Sequence, residues 1–184
     1  MIEDFTLDDR ELKRIADEFG ASKETLRYAY SRAMRRTAQT MKARARKELR
    51  TELQMRSAAE IRKRLFGFKF KRGKYDWGEF RMWFGLNDMR VSAFKGRAKS
   101  TSTGATFAGQ EFERAFVGRN RKGKQTIMQR ASRKRWPIKE ARMPIESKAR
   151  YRIQDLLDDF EEVFFKNFYS EVRSRTLYQV GELD

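Results

Sequence analysis

Cysteine and histidine are both missing from the 184 residues. Their absence excludes disulfides, thiolate nucleophiles, zinc sites of the usual Cys/His kind and every histidine-based triad. A chain without cysteine suits the cytosol without requiring it. No stretch of about 18 apolar residues exists, so no membrane-spanning helix is expected. The opening MIEDFTLDDRELK is acidic and has no hydrophobic run, unlike a signal peptide. Also missing are a Gly-rich phosphate loop ending in Lys-Ser or Lys-Thr and the dinucleotide fingerprint, so no cofactor is expected.

What is present can fold. The length suggests one domain, 1–184, or one domain with helical arms. Hydrophobic residues make up 39% of the chain, with 15 Phe and 3 Trp, which supplies a core despite 38% charged residues. Charge is unevenly spread. Residues 1–26 carry 4 basic and 8 acidic groups, residues 27–150 carry 35 and 10, and residues 151–184 carry 4 and 8. A strongly basic middle can neutralise phosphates and release counterions. It can also receive the acidic ends of neighbouring copies. A solvated surface with no partner is the plainer reading.

Hydrophobic spacing sets out the elements. TLDDRELKRIADEFG predicts a helix capped by Thr6, with Leu12, Ile15, Ala16 and Phe19 on one stripe and Gly20 as its stop. A second helix should start at the cap Ser22. Leu26, Tyr30, Ala33, Thr37, Met41, Ala45, Leu49 and Leu53 recur at steps of three and four, over roughly 45 Å at 1.5 Å per residue. Small residues on that stripe allow close approach. Together these make a helical part, 1–56. Ser57 and Glu60 fit a capping box for a short helix closed by Gly67.

From there to 146 the period changes to two. GEFRMWFGL, EFERAFV, QTIMQRA and RWPIKEARM read as strands, with Pro137 pushing the last toward an edge. Residues 96–110, rich in Gly, Ser and Thr, read as a mobile loop. GRNRKGKQ reads as a turn carrying Arg119, Arg121, Lys122 and Lys124. A C-terminal helix from Ser147 carries the stripe Ile153, Leu156, Leu157, Phe160, Phe164, Phe168 and Val172, with Asp155, Asp158, Asp159, Glu161 and Glu162 on other faces. The expected class is α+β: a long N-terminal helix and a C-terminal helix packed on a small antiparallel sheet.

Catalytic groups are sparse. Asp76, Glu79, Asp88, Glu111, Glu113 and Glu140 are the candidate acids. Glu111 and Glu113 share one face of a strand and with a third acid would suit Mg²⁺ in a nuclease, although two acids on a strand are more often a solvated edge. No enzymatic activity is expected. FGFKFKRGKYDWGEF interleaves cations with Phe66, Phe68, Phe70, Tyr75, Trp77 and Phe80, a pattern that suits base stacking but more often means core packing. No standard DNA- or RNA-binding signature is visible. RASRKRWPIKEARMPIE, 130–146, places six Lys and Arg around Trp-Pro-Ile. Trp136, Ile138, Met143 and Ile145 should anchor a strand in the core, as should Phe116. Arg133, Lys134 and Arg135 should lie on the preceding turn.

The order of these segments resembles the minor tail protein Z family of tailed phages. The resemblance lies in Ala115-Phe116-Val117, Met128-Gln129-Arg130, Arg133-Lys134-Arg135, Pro137-Ile138 and Pro144, with WFGLNDMRVSAFKG (83–96) similar to a Gly-Leu-Asn segment of many relatives. It covers about 80–146, and the N-terminal helix by character alone. Many relatives carry Gly-Pro-Ser after the final strand, where this chain has MPIES. The resemblance implies a tail completion protein, assembled in the host cytoplasm into the virion. It would sit at the head-proximal end of the tail, in a ring around the DNA channel, helping to join tail to head. Implied partners are copies of itself (six if the ring follows tail symmetry), tail tube or tail terminator proteins, head–tail connector proteins and genomic double-stranded DNA. Arg119, Arg121, Lys122, Lys124, Arg133, Lys134 and Arg135 are then expected to contact DNA or a neighbour. Asp155, Asp158, Asp159, Glu161 and Glu162 are expected to dock on a partner. A free, non-specific nucleic-acid-binding protein is the alternative.

Overall fold

The computed structural model describes residues 2–5, 7–64, 68–71 and 79–180. It is α+β, as expected. The chain groups into two compact units. The first holds residues 1–46, 64–85 and 153–184, and the second holds 47–63 and 86–152.

The first unit contains α1 (Asp9–Phe19), α2 (Lys23–Glu52) as far as Arg46, and α5 (Phe160–Val180). Asp8 is the N-cap of α1, accepting from the Arg10 N–H at 2.8 Å; Thr6, the expected cap, lies outside the described residues. Gly20 ends α1 in the left-handed conformation, φ 56°. Ser22 caps α2 as expected, its Oγ accepting from the Thr25 N–H at 3.2 Å. All eight stripe positions of α2 are buried. Ion pairs from Arg44 to Asp159 and from Arg36 to Glu171 show that α2 and α5 run antiparallel.

Rings from α5 fill the space over that stripe. Phe164 and Phe168 stack at 5.7 Å, and Tyr30 meets Phe164 edge-on at 5.3 Å. Buried Thr37 accepts from the Asn167 amide at 2.9 Å, so its hydroxyl keeps a partner out of water. A small sheet in the order β1 (Ile2–Phe5), β3 (Glu79–Trp83), β2 (Phe68–Lys71) belongs to this unit. Of these, only β3 was expected. Phe66, Tyr75 and Trp77 lie outside the described residues.

In the second unit, α3 (Ala59–Arg62) is a single turn. Ser57 accepts from the Ala59 N–H at 3.1 Å, but the helix ends at Lys63, and Gly67 lies outside the described residues. β4 (Met89–Arg90) pairs with β11 (Arg142–Met143). β5 (Lys99–Ser100), β6 (Gly104–Phe107) and β7 (Gln110–Glu113) form one sheet. β10 (Ile138–Glu140), β9 (Gln125–Arg130) and β8 (Ala115–Arg119) form another.

Four expectations change here. Residues 96–110, read as a mobile loop, build β5 and β6, joined to β7 through Ala108 and Gly109 at φ 50° and 81°, a tight two-residue hairpin. A side chain at Gly104 would come within 2.1 Å of the Phe112 carbonyl, so glycine there allows close backbone approach rather than disorder. EFERAFV is two strands, because Arg114 turns the chain at φ 55°. The turn separates the fates of its rings: Phe112 is buried and Phe116 is 41% exposed. RWPIKEARM is two short strands around Ala141. This residue takes the core position, donating to the Ile127 carbonyl and accepting from the Val91 N–H. Ile145 is therefore buried as expected, while Ile138 and Met143 are half-buried and Trp136 is 65% exposed. The C-terminal helix begins at Glu146, not after Ser147, and divides into α4 (Glu146–Asp158) and α5.

Burial pushes the Tyr30 phenol up to about 12, with the Asp9 carboxylate adding to the shift. An unfolded phenol ionises near pH ~10. Between the two values the unfolded chain loses a proton that the folded chain keeps, so this contribution is present below about pH 10 and lost as pH rises towards 12. Tyr30→Phe should flatten the alkaline fall in denaturation midpoint over that window. An equal fall in both proteins would show that Tyr30 titrates as an exposed phenol.

Candidate functional site

Charge also separates the two units. The second unit carries 23 Lys and Arg against 8 Asp and Glu, net +15, and the first carries 20 against 18, net +2. Nearly all of the excess therefore belongs to the unit built of short strands and turns.

Arg119, Arg121, Lys122 and Lys124 occupy the turn between β8 and β9, as expected. Asn120 shapes it, its side-chain oxygen accepting from the N–H groups of Lys122 at 2.9 Å and Lys124 at 3.1 Å. Arg119 donates to the Gly123 carbonyl at 2.8 Å and so fastens the turn. Arg121, Lys122 and Lys124 project from it, exposed. Arg133, Lys134 and Arg135 are exposed on the connection from β9 to β10. That connection is closed by the Ala131 N–H donating to the Pro137 carbonyl at 3.0 Å, beside a cis Trp136–Pro137 bond.

The structure does not bring these two basic loops together. They leave opposite ends of β9, whose six residues span roughly 20 Å. Between them lies a cavity of about 850 Å³ that the sequence reading did not foresee. Its lining includes Arg121 and Lys122 from the first loop and four further cations: Arg90, Arg130, Lys139 and Arg142. Strand register supplies the missing signal. Arg142 stands directly opposite Arg90, and Arg130 directly opposite Ile138. Like charges directly opposite each other repel, and an anion between them removes that cost. Among the described residues none of the six cations forms an ion pair.

Glu140 is the single acid in the lining. Its Oε1 accepts from the Thr126 hydroxyl at 2.7 Å and from the Ser92 N–H at 2.9 Å. The carboxylate thus ties β10 to β9 and to the turn after β4, and satisfies the buried Thr126.

The acidic set lies in the first unit, at the break between α4 and α5. All five side chains are exposed. Asp159 pairs with Arg44 at 3.1 Å, and Glu161 accepts from the Asp8 N–H at 3.1 Å, so these two already serve their own unit. Glu111 and Glu113 are exposed on β7, and Asp76 lies outside the described residues. Among the described residues no group of three or more acids is placed to hold a metal ion.

No protein-family model, curated protein or solved structure matches the chain. The arrangement itself therefore carries the functional argument. Unpaired cations on loops and short strands give point contacts to phosphate without reading sequence.

Tripolyphosphate should raise the melting temperature above that in chloride of equal ionic strength, because a ligand that binds only the folded state stabilises it. Arg90→Ala with Arg142→Ala should reduce that rise to the chloride level. An unchanged rise in the double variant would place the anion elsewhere.

Proposed function

We propose that this chain is a structural protein of a tailed-phage virion. It acts as a tail completion protein at the head-proximal end of the tail, in a ring around the DNA channel, and aids head–tail joining and DNA passage. The observation that carries the reading is the net +15 on the second unit, with its exposed loop cations. Channel DNA must move past whatever surrounds it, so contacts to it should be numerous, exchangeable and blind to sequence. Cations on the β8–β9 turn and the β9–β10 connection meet that demand.

The motifs resembling the minor tail protein Z family, at about 80–146, fall almost entirely within this unit, and they supply the virion setting. Further partners in this reading are other copies of the chain, tail tube or tail terminator proteins and head–tail connector proteins. Exposed Asp158 and Glu162 are the acids that would face a basic neighbour. The same concentration of cations also suits a free, non-specific nucleic-acid-binding protein, which is the second reading.

Electron microscopy of particles from the parent phage with a stop codon in this gene distinguishes the two. Separate heads and tails, or joined but non-infectious particles, are expected. Normal, infectious particles would remove the completion role and leave the second reading. Replacing Arg133, Lys134 and Arg135 together with Ala should lower infectivity while leaving the melting temperature within a few degrees of wild type.

A further inference from the structure

We propose that the cavity on the β8–β9–β10 sheet takes an unpaired base of a single nucleic-acid strand, while the cations around it hold the flanking phosphates. This rests on the nucleic-acid part of the reading above and narrows it, because a duplex backbone needs the cations but not the cavity's apolar floor.

That floor is specific. Met128 and Ile138, both half-buried, lie in the lining. Phe116 stands directly opposite Met128 on β8 and is 41% exposed. Gly118 shows that the two side chains share a face: a carbon added there would meet Met128 Cγ at 3.0 Å and Phe116 Cε2 at 3.8 Å. Trp136, 65% exposed, lies on the β9–β10 connection, two residues before β10 begins at Ile138. An exposed Phe116 beside a half-covered Met128, with Trp136 exposed on the adjoining connection, leaves apolar surface in water that the unit's own core does not use.

Ring faces of paired bases are hidden in the duplex stack, and only an unpaired base offers one. Stacking on an aromatic side chain tolerates any base, because each has a π-face, and it combines with cations that follow the backbone. Around this floor Arg90, Arg121, Lys122, Arg130, Lys139 and Arg142 supply those cations. The volume, about 850 Å³, falls within the roughly 300–1,000 Å³ of small-molecule sites. Charge, floor and size together fit a nucleotide of a flexible strand better than a rigid helix.

Fluorescence anisotropy with the full chain tests this, using labelled oligothymidylate and a random-sequence duplex of matched length at one salt concentration. The single strand is expected to bind about tenfold more tightly than the duplex, and Phe116→Ala with Trp136→Ala to remove that advantage while leaving duplex affinity unchanged. Both rings are on the surface, so neither truncation empties a core position. Equal affinity for strand and duplex, or equal weakening of both by the double variant, would overturn the inference and leave phosphate binding standing. Binding of neither would overturn both.

Discussion

Repulsion among the cations of one small unit is the constraint on which the rest of this structure depends. A net +15 on residues 47–63 and 86–152 opposes compaction of the segment that carries it. The fold answers chiefly with burial and backbone hydrogen bonds, with ion pairs from α4 at Arg150–Glu146 and Arg152–Glu48. Met55, Met89, Val91, Phe107 and Ile127 are almost fully buried. Arg56 spends its guanidinium on the Phe94 and Gly96 carbonyls, holding the chain after β4 to the end of α2. Cations are sent to turns and strand ends, where water screens them. The cost that remains is local, as where Arg90 faces Arg142.

The first unit has the opposite economy. Its acids nearly balance its bases, and they are used. Glu171, mostly buried, lies within 4 Å of Arg32, Arg36 and Arg175, and Arg14 is held by Glu11 and Glu18. Stability there comes chiefly from the Phe160, Phe164, Phe168 and Val172 row against the α2 stripe, since exposed pairs contribute little each. Acids committed to this unit leave the other with few, so the division of charge follows from how each unit is held together. It also leaves the basic unit with cations that no carboxylate competes for.

Much of the helical unit was legible in the sequence. Steps of three and four from Leu26 to Leu53, and from Ile153 to Val172, mark positions that are all buried. Ser22 and Gly20 cap as their chemistry dictates. The sheet unit was less legible, because its strands are two to six residues long and periodicity needs more residues than that to show. Arg114, with no Gly or Pro beside it, gave no sign of the turn that splits β7 from β8. Gly, Ser and Thr at 100–109 looked like a loop because hairpin turns and close strand approach use the same residues. The cations of the site could be counted but not grouped. Arg119 and Arg133 are near in sequence yet leave opposite ends of β9, whereas Arg90 and Arg142 are far apart in sequence yet paired. Only register shows that.

Binding of a random-sequence duplex to the purified chain, followed across salt concentration, tests the central claim most directly. If about six unpaired cations contact phosphate, the logarithm of affinity should fall linearly with the logarithm of salt, with a slope of about −5 that is the same for unrelated sequences. Affinity that ignores salt, or no duplex binding at low salt, would contradict the account and reduce the charged face to a solvated surface.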